Sequence, residues 1–329
     1  MAERKDMVIG AAVAGGALAA AKLGWDRLTG EDDPRRFALR DDEPLREGVE
    51  RIAVGRLDNS IEGLAGEGDA DSATAVHEAR KSIKRLRALL RLTRHQLGDQ
   101  VYRRDNAAFR DISRRLSGAR DSRVMLDTLS GLSERHPRRA PARGLAPFRR
   151  TLLSRHANAQ RKLRDSDAAS EALRELRHAR DRVAHWPVDG DSVASLAPGL
   201  ERIYRRGRKA YRVARRNPST ENLHELRKRT KDLWYTGQIV QAASPKAMKK
   251  MVKGAHELSD LIGEEHDLAL LAESALARPE RFGEEASLED LLVLIERRRK
   301  DLQGRALKVG ARLYEKKPGK VARKLEDAS

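Results

Sequence analysis

The sequence feature that most constrains the fold is an internal repeat. The segment VHEARK at 76–81 recurs 147 residues later as LHELRK at 223–228. The segment LSGARDS at 116–122 recurs as LIGEEHD at 261–267, with its aspartates 146 residues apart. Two motifs at nearly the same offset indicate two copies of one structural unit, related by a pseudo-twofold axis. The halves span roughly 45–190 and 196–318.

The unit that repeats is helical. From Leu45 onward, leucines recur three and four residues apart, and Ala, Arg, Glu and Leu dominate. Clusters of proline and glycine separate segments of helical length, and no segment alternates with a period of two. The pattern predicts an all-α protein without a sheet, in which residues 319–329 form a C-terminal tail.

The N-terminal segment differs in composition from the rest. Residues 7–24 are apolar but built from Ala and Gly, which is weak for a membrane span or a secretory signal. Self-association, contact with a granule or a membrane, and disorder all remain open for it. The polar, proline-containing stretch 30–44 is typical of a linker, so residues 1–44 are set apart from the helical domain.

The first repeated motif begins an amphipathic helix. At about 100° per residue, its basic residues fall on one stripe and its leucines on the opposite side. Alternating glutamates are missing from the stripe, so a polyanion bound there would relieve the repulsion between like charges. The first stripe holds His77, Arg80, Lys81, Lys84, Arg87 and Arg91. The matching stripe of the second copy holds His224, Arg227, Lys228, Lys231, Tyr235 and Gln238.

A third basic helix, 200–216, precedes the second stripe. Four of its basic residues share a side at spacings of three and four, namely Arg205, Arg208, Lys209 and Arg212. Asn217-Pro218 ends this helix, and Ser219-Thr220 provides the next N-cap. The helix and the second stripe helix are therefore predicted to be antiparallel neighbours that share one basic groove.

The charge balance favours an anionic partner. The 329 residues contain 68 Lys and Arg against 50 Asp and Glu, a formal net charge of +18. Nucleic acid, an anionic membrane surface and polyphosphate could each neutralise this excess, as could simple solvation of helix faces. The chain has no cysteine, which excludes disulfides and thiolate metal sites and fits a reducing cytoplasm.

Catalytic and metal-binding motifs are scarce. The three His-Glu pairs, at His77, His224 and His256, lack a second histidine four residues on, so no zinc-protease motif is present. No phosphate-binding glycine loop or nucleophile elbow occurs. Each stripe histidine is interpreted as a member of the anion face that binds phosphate better when protonated, or as a structural hydrogen-bonding residue. No cofactor, metal or catalytic residue is predicted.

The repeated motifs resemble a known family. VHEARKSIKRLRALLRL and LHELRKRTKDLWY are similar to the two signatures of the CHAD domain, the conserved histidine α-helical domain. LSGARDSRVML and LIGEEHDLALL resemble the turns that follow each signature, and LIERRRKDLQGRALKVGARLYEKKP its closing helix. The resemblance covers roughly 45–318. It departs at Asp232 and Trp234, where the family often has basic residues.

The resemblance implies a fold and a ligand. The fold is two four-helix bundles related by a pseudo-twofold, around a basic central cleft or pore. The family binds inorganic polyphosphate, is associated with polyphosphate granules and is not generally catalytic. Cytoplasmic polyphosphate binding is therefore the leading prediction. The alternatives are non-specific binding of nucleic acid and, less favoured, a phosphate-processing enzyme. The predicted polyphosphate site comprises the two stripes without Gln238, the four residues of the third helix, and Arg85, Arg120 and Arg297.

Overall fold

The structure, a computed structural model, describes residues 37–40, 42–66, 72–140, 142–190, 192–242, 245–282 and 285–327. Eleven α-helices and two short 3-10 turns lie in these ranges, without a strand, so the predicted all-α class is confirmed there. The helices are α1 Leu45–Ala65, α2 Ser72–Leu92, α3 Arg94–Arg115, α4 Gly118–Arg135, α5 Ala142–Arg164, α6 Ala168–Val183, α7 Ala197–Arg216, α8 Thr220–Val240, α9 Pro245–Leu276, α10 Glu285–Leu313 and α11 Pro318–Glu326.

Several helix ends follow the sequence signals. Gly66 ends α1 in the left-handed conformation, with φ of 77°, which glycine adopts without a steric penalty. The Ser219 hydroxyl accepts a hydrogen bond from the Asn222 backbone N–H at 3.3 Å, so the predicted N-cap of α8 is present. None of the helices in the described ranges combines the length and apolar character required to cross a bilayer.

The helix contacts of the two halves correspond pair by pair. In the first half α2 packs on α1 and α3, α1 packs on α6, and α4 packs on α5. In the second half α8 packs on α7 and α9, α7 packs on α11, and α9 packs on α10. Across the halves α2 contacts α8, and α4 contacts α9. The two stripe helices, α2 and α8, are therefore neighbours where the two halves of the chain meet.

The halves differ at the second repeated motif. In the first half the chain leaves the helix at Leu116 and Ser117, between α3 and α4. In the second half α9 runs without interruption through Gly263, so the expected turn there is absent. The reason is that Leu261, Ile262 and Leu268 keep one continuous buried face through the motif.

Both ends of the helical domain extend further than the sequence predicted. Phe37 and Leu39, in the predicted linker, are buried, and the Leu39 N–H donates to the Ile239 carbonyl at 2.8 Å. The predicted tail 319–329 contains most of α11, which packs on α7 and buries Val321, Ala322 and Leu325. Their spacing of three and four residues gives α11 the apolar face that a tail would lack. Residues 1–36 lie outside the described ranges, as does every prediction made for them.

Asp105 fixes α3 to α6 and to the segment that follows. Its side chain is buried, and it accepts hydrogen bonds from Arg182 Nε at 2.9 Å and Trp186 Nε1 at 2.9 Å. Burial alone would raise the pKa of this carboxyl, but hydrogen bonds from Arg104, Trp186 and Arg182 outweigh it and lower the pKa. Asp105 therefore stabilises the fold above its unfolded-state pKa, and this contribution is lost as the pH falls through the lowered value.

The two halves meet closely where α7 begins. A Cβ added at Gly199 would collide with the carbonyl oxygen of Leu92, the last residue of α2. We therefore expect Gly199→Ala to lower the free energy of unfolding by about 1–3 kcal/mol, because the backbones must separate. Urea denaturation measures the change. Gly304→Ala in α10 is the control, since a Cβ there has no atom within 4 Å, and it should be neutral or stabilising. Equal effects of both substitutions would contradict this account of Gly199.

Candidate functional site: a basic seam between two helices

The α2–α8 contact combines an apolar side with a basic side. Ile83, Leu86, Leu89 and Leu90 of α2 are buried, as the predicted pattern requires. Leu226, Leu233 and Val240 of α8 are buried in the same way. Burying these faces brings the basic stripes to the junction of the two helices, which we call the α2–α8 seam. The seam is thus positioned by packing of the apolar residues behind it.

The two helices touch through their C-terminal halves. Arg91 Nη1 of α2 lies 3.1 Å from Asp232 Oδ1 of α8. The Arg85 guanidinium lies 5.7 Å from the centre of the Tyr235 ring, within cation–π range. Both Arg85 and Tyr235 are buried. Of the predicted site residues, Arg85, Arg91 and Tyr235 therefore make contacts across the seam.

The N-terminal parts of the stripes make their contacts elsewhere. Arg80 Nη1 donates to the carbonyl oxygens of Leu116 at 3.1 Å and Ser117 at 3.0 Å. These carbonyls lie just beyond the C-terminus of α3, so Arg80 holds the α3–α4 turn. Its equivalent, Arg227, lies against Gly263 of α9, where an added Cβ would be 3.3 Å from Nη2. Both arginines therefore have a structural role in addition to any anion contact.

The stripes have more acidic partners than the sequence pattern indicated. In α2, Glu78 lies 3.5 Å from Lys81. At the equivalent positions of α8, Glu225 lies 2.6 Å from Lys228. The expectation that glutamates are missing from these faces was wrong, because side chains three residues apart on a helix reach each other. His77, half exposed, lies 3.8 Å from Glu78.

The second stripe histidine lies beside another histidine. The rings of His224 and His266, from α8 and α9, are 4.7 Å apart at their centres. Burial lowers the pKa of His224 below the ordinary 6.5, and nearby His266, Lys228 and Arg227 lower it further. The neutral imidazole is thus favoured in the folded protein. Negative charge added at this position would raise the pKa again.

The third basic helix presents a different side to the seam than predicted. Arg208 Nε of α7 donates to the Tyr314 carbonyl at 3.0 Å, so this side chain holds the end of α10. Arg205 is exposed and pairs with Glu201, while Lys209 and Arg212 are exposed. A single helix pattern cannot show which flank faces a neighbour, and the burial of Tyr204 and Tyr211 beside Tyr314 sets the rotation of α7. The predicted contact between α7 and α8 is present, whereas a shared basic groove that contains these four residues stays a prediction.

Instead, Arg202 and Arg206 of α7 face the seam. Arg202 donates to the Arg91 carbonyl oxygen. Arg206 is an exposed residue, but partial burial of its guanidinium lowers its pKa, and the charges of Arg229 and Arg91 lower it further, against the opposing effect of Asp232. Sequence reasoning missed Arg202, Arg206 and Arg229. The signal was available, since Arg202 and Arg206 are four residues apart on α7.

We call Arg87, Arg91, Arg202, Arg206 and Arg229 the arginine cluster. Burial lowers the pKa of Arg87 to about 10, and the charge of Arg91 adds to this. The lowered pKa values of Arg87, Arg202 and Arg206 indicate partial burial and neighbouring positive charge, and these guanidiniums remain charged at neutral pH. An oxyanion bound at the cluster would relieve this repulsion.

The remaining predicted residues are distributed along the seam and beyond it. Lys84 and Lys231 occupy equivalent half-buried positions in α2 and α8. Arg297 is exposed on α10, beside Arg298 and Arg299, which bind Glu264 and Glu265 of α9. The side chain of Arg120 lies outside the described part of the structure. Within the described part, no three His, Asp or Glu side chains converge as metal ligands.

The fold and the seam define an all-helical protein with a duplicated motif and paired cationic helix faces. The CHAD domain family model matches residues 56–276, from within α1 to the end of α9. The chain belongs to the CHAD domain family. The sequence resemblance is thereby confirmed, although the matched range is shorter than the predicted 45–318.

One solved structure shares the fold. The crystal structure of the CHAD domain from the plant Ricinus communis is similar, with a TM-score of 0.55 and 18% sequence identity. The match covers 88% of this chain and 94% of that chain. No curated protein matches the chain.

The His224 environment leads to a measurable prediction. We expect the imidazole of His224 to titrate below 6.5 in the ligand-free protein, because burial and neighbouring cations favour its neutral form. Bound polyanion should raise that pKa, so binding takes up protons and strengthens as the pH falls through the raised value towards the ligand-free one. NMR titration of the histidine ring protons measures this, with His224→Gln assigning the signal. A midpoint at or above 6.5 without ligand, or one that polyanion leaves unchanged, would contradict this reading.

Proposed function

We propose that this protein binds inorganic polyphosphate along the α2–α8 seam without hydrolysing it. The observation that carries the proposal is the contact between α2 and α8, which joins two basic faces into one surface. Arginine offers a planar fork for phosphate oxygens, and lysine a mobile charge, and both residue types occur along the seam. The CHAD family is linked in general to polyphosphate binding, which supports the same ligand.

The architecture we infer is two helical bundles related by a pseudo-twofold axis, with the seam at their junction. The corresponding helix contacts of the halves support this arrangement. Equivalent helices also meet across the junction, since α2 contacts α8 and α4 contacts α9, where Arg135 pairs with Glu264. A ligand at the seam would then contact both halves of the chain.

The aromatic residues of the seam favour polyphosphate over single-stranded nucleic acid. Recognition of unpaired bases relies on exposed aromatic rings for stacking. Tyr235 is buried, and Trp234 stacks on Tyr235 at 4.9 Å and packs at a tilt against His256 at 4.3 Å, measured between ring centres. These rings already have stacking partners. Nucleic acid would then bind through its phosphates alone, as a weaker and non-specific ligand.

The carboxylates of the seam favour binding over turnover. Phosphoryl transfer generally uses carboxylates that hold Mg²⁺ beside the phosphate. Glu78, Glu225 and Asp232 are each paired with lysine or arginine. These pairs support a binding role, and we further propose that the protein associates with polyphosphate granules in the cytoplasm.

A competition experiment tests the ligand. We expect long-chain polyphosphate to bind at moderate salt, and to resist displacement by tRNA at equal phosphate concentration, because the seam offers charge without base stacking. Fluorescence anisotropy with labelled polyphosphate measures both. No binding at moderate salt, or efficient displacement by tRNA, would reject the proposal. Release of orthophosphate by pure protein with Mg²⁺ would reject the non-catalytic part.

A second experiment tests the seam as the binding surface. We expect the double substitution Lys84→Gln, Lys231→Gln to weaken polyphosphate binding and to make the slope of log affinity against log salt shallower by roughly one to two, because two phosphate contacts are lost. The control is Arg138→Gln, Arg139→Gln in the exposed segment between α4 and α5, which removes the same charge. If both doubles lose affinity equally, net charge and not the seam binds the ligand.

A further inference from the structure

The arginine cluster lies at one end of the seam and contains a single bridging carboxylate. Its five guanidiniums come from three helices, α2, α7 and α8. Asp232 Oδ1 lies 3.1 Å from Arg91 of α2, and Asp232 Oδ2 lies 3.5 Å from Arg229 of its own helix. The Asp232 side chain is only 17% exposed. One oxyanion, with an oxygen on each guanidinium, thus links α2 to α8.

Arg87, Arg202 and Arg206 have no carboxylate partner of this kind in the described part of the chain. Among the described residues, Arg206 has no ion-pair partner. Arg87 donates through Nε to the neutral Asn106 Oδ1 at 3.1 Å, and Arg202 donates to the Arg91 carbonyl oxygen. Arg229 shares Glu225 with Lys228. Positive charge therefore exceeds negative charge in a partly buried space, and Asp232 is the acid at its centre.

The geometry of Asp232 resembles that of a bound phosphate group. A carboxylate and a phosphoryl group present oxygens to arginine in the same way, and both accept charge-assisted hydrogen bonds. Arg87, Arg202 and Arg206 all have lowered pKa values, with burial as the largest cause. Each would gain from a second anion with more oxygens than the carboxylate.

We propose that the arginine cluster is an oxyanion site for one phosphoryl unit, and that Asp232 is a built-in competitor that this unit must displace from Arg91 and Arg229. The phosphoryl unit then bridges Arg91 and Arg229 and reaches Arg206. The identity of the ligand rests on the proposed function, whereas the oxyanion site does not.

This arrangement discriminates against short anions. An isolated phosphate must replace a carboxylate that is held permanently beside the arginines. A phosphoryl unit of a long chain is held nearby by the rest of the seam, which raises its effective concentration at the cluster. Asp232 thereby sets a threshold that favours long polyphosphate over orthophosphate.

Two substitutions distinguish an oxyanion site at the arginine cluster from an Asp232 ion pair that has a structural role only. Asp232→Asn removes the competitor while keeping the shape of the side chain. Arg206→Gln removes a guanidinium without breaking an ion pair of the described residues. The matched controls are Asp127→Asn in α4, an exposed partner of Arg123, and Arg216→Gln, an exposed residue of α7.

Polyphosphate affinity is the first readout. We expect Asp232→Asn to tighten binding by about fivefold, the factor that corresponds to roughly 1 kcal/mol. Arg206→Gln should weaken binding by a similar factor, while both controls stay within twofold of their parent. Binding of orthophosphate should strengthen in Asp232→Asn as well. Unchanged or weaker polyphosphate binding by Asp232→Asn would overturn the proposal.

Thermal unfolding with sulfate, at ionic strength matched with NaCl and without polyphosphate, is the second readout. We expect Asp232→Asn to unfold at a lower temperature than the parent without sulfate, and to gain more from sulfate than the parent does. Arg206→Gln should gain less. Equal gains for all variants would mean that Asp232 is a structural partner only.

The two readouts separate the proposals. Sulfate responses as described, without polyphosphate binding by the parent, would leave the oxyanion site standing and reject the proposed function. Polyphosphate binding by the parent, with variants that match it in both readouts, would reject the site and leave the function standing.

Discussion

The structure depends on burying the apolar side of α2. Because Ile83, Leu86 and Leu89 must leave water, α2 is packed against α1, α3 and α8, and its opposite side is only partly open. The basic stripe is therefore half-buried rather than freely solvated. Charges in such a position are poorly screened, so their partners matter more than those of surface charges. Arg80 binds carbonyl oxygens, Arg87 binds Asn106 and Arg91 binds Asp232.

The repeat accounts for the corresponding helix contacts of the two halves. Sequence differences between the two copies account for the arginine cluster. At the offset of 147, Arg229 and Asp232 of α8 stand where α2 has Ser82 and Arg85. GVERI at 48–52 of α1 aligns with GLERI at 199–203 of α7, which places Arg206 opposite Gly55. Arg206, Arg229 and Asp232 thus have no counterpart of the same kind in the other copy, whereas Arg202 aligns with Arg51. The duplicated helices supply the common surface, while substitutions in one copy concentrate charge on one side of it.

The sequence predicted what local periodicity and repetition encode. The all-α class, the two stripe helices, their buried leucines and the Ser219 N-cap all follow from patterns within single helices. What it could not predict depends on how helices rotate against one another. Arg208 faces Tyr314 rather than the seam because the tyrosines of α7 set its rotation. The uninterrupted course of α9 likewise depends on burial of Ile262 against other helices, which the motif LIGEEHD does not reveal.

The arginines of the seam outnumber its acids. This excess of positive charge destabilises the ligand-free protein and would favour binding of a polymeric anion. Arg87 and Arg206 lose part of their hydration without an ion-pair partner among the described residues, and their pKa values are lowered accordingly. The hydrophobic packing behind α2 and α8 offsets that cost in the folded protein. A small anion would stabilise the seam little, because it contacts one or two arginines and is screened by salt. A chain of phosphates would stabilise the seam more, since each further unit binds without a new loss of translational freedom. Under the proposed function, the same partial burial that strains the ligand-free protein would favour long polyanions over short ones.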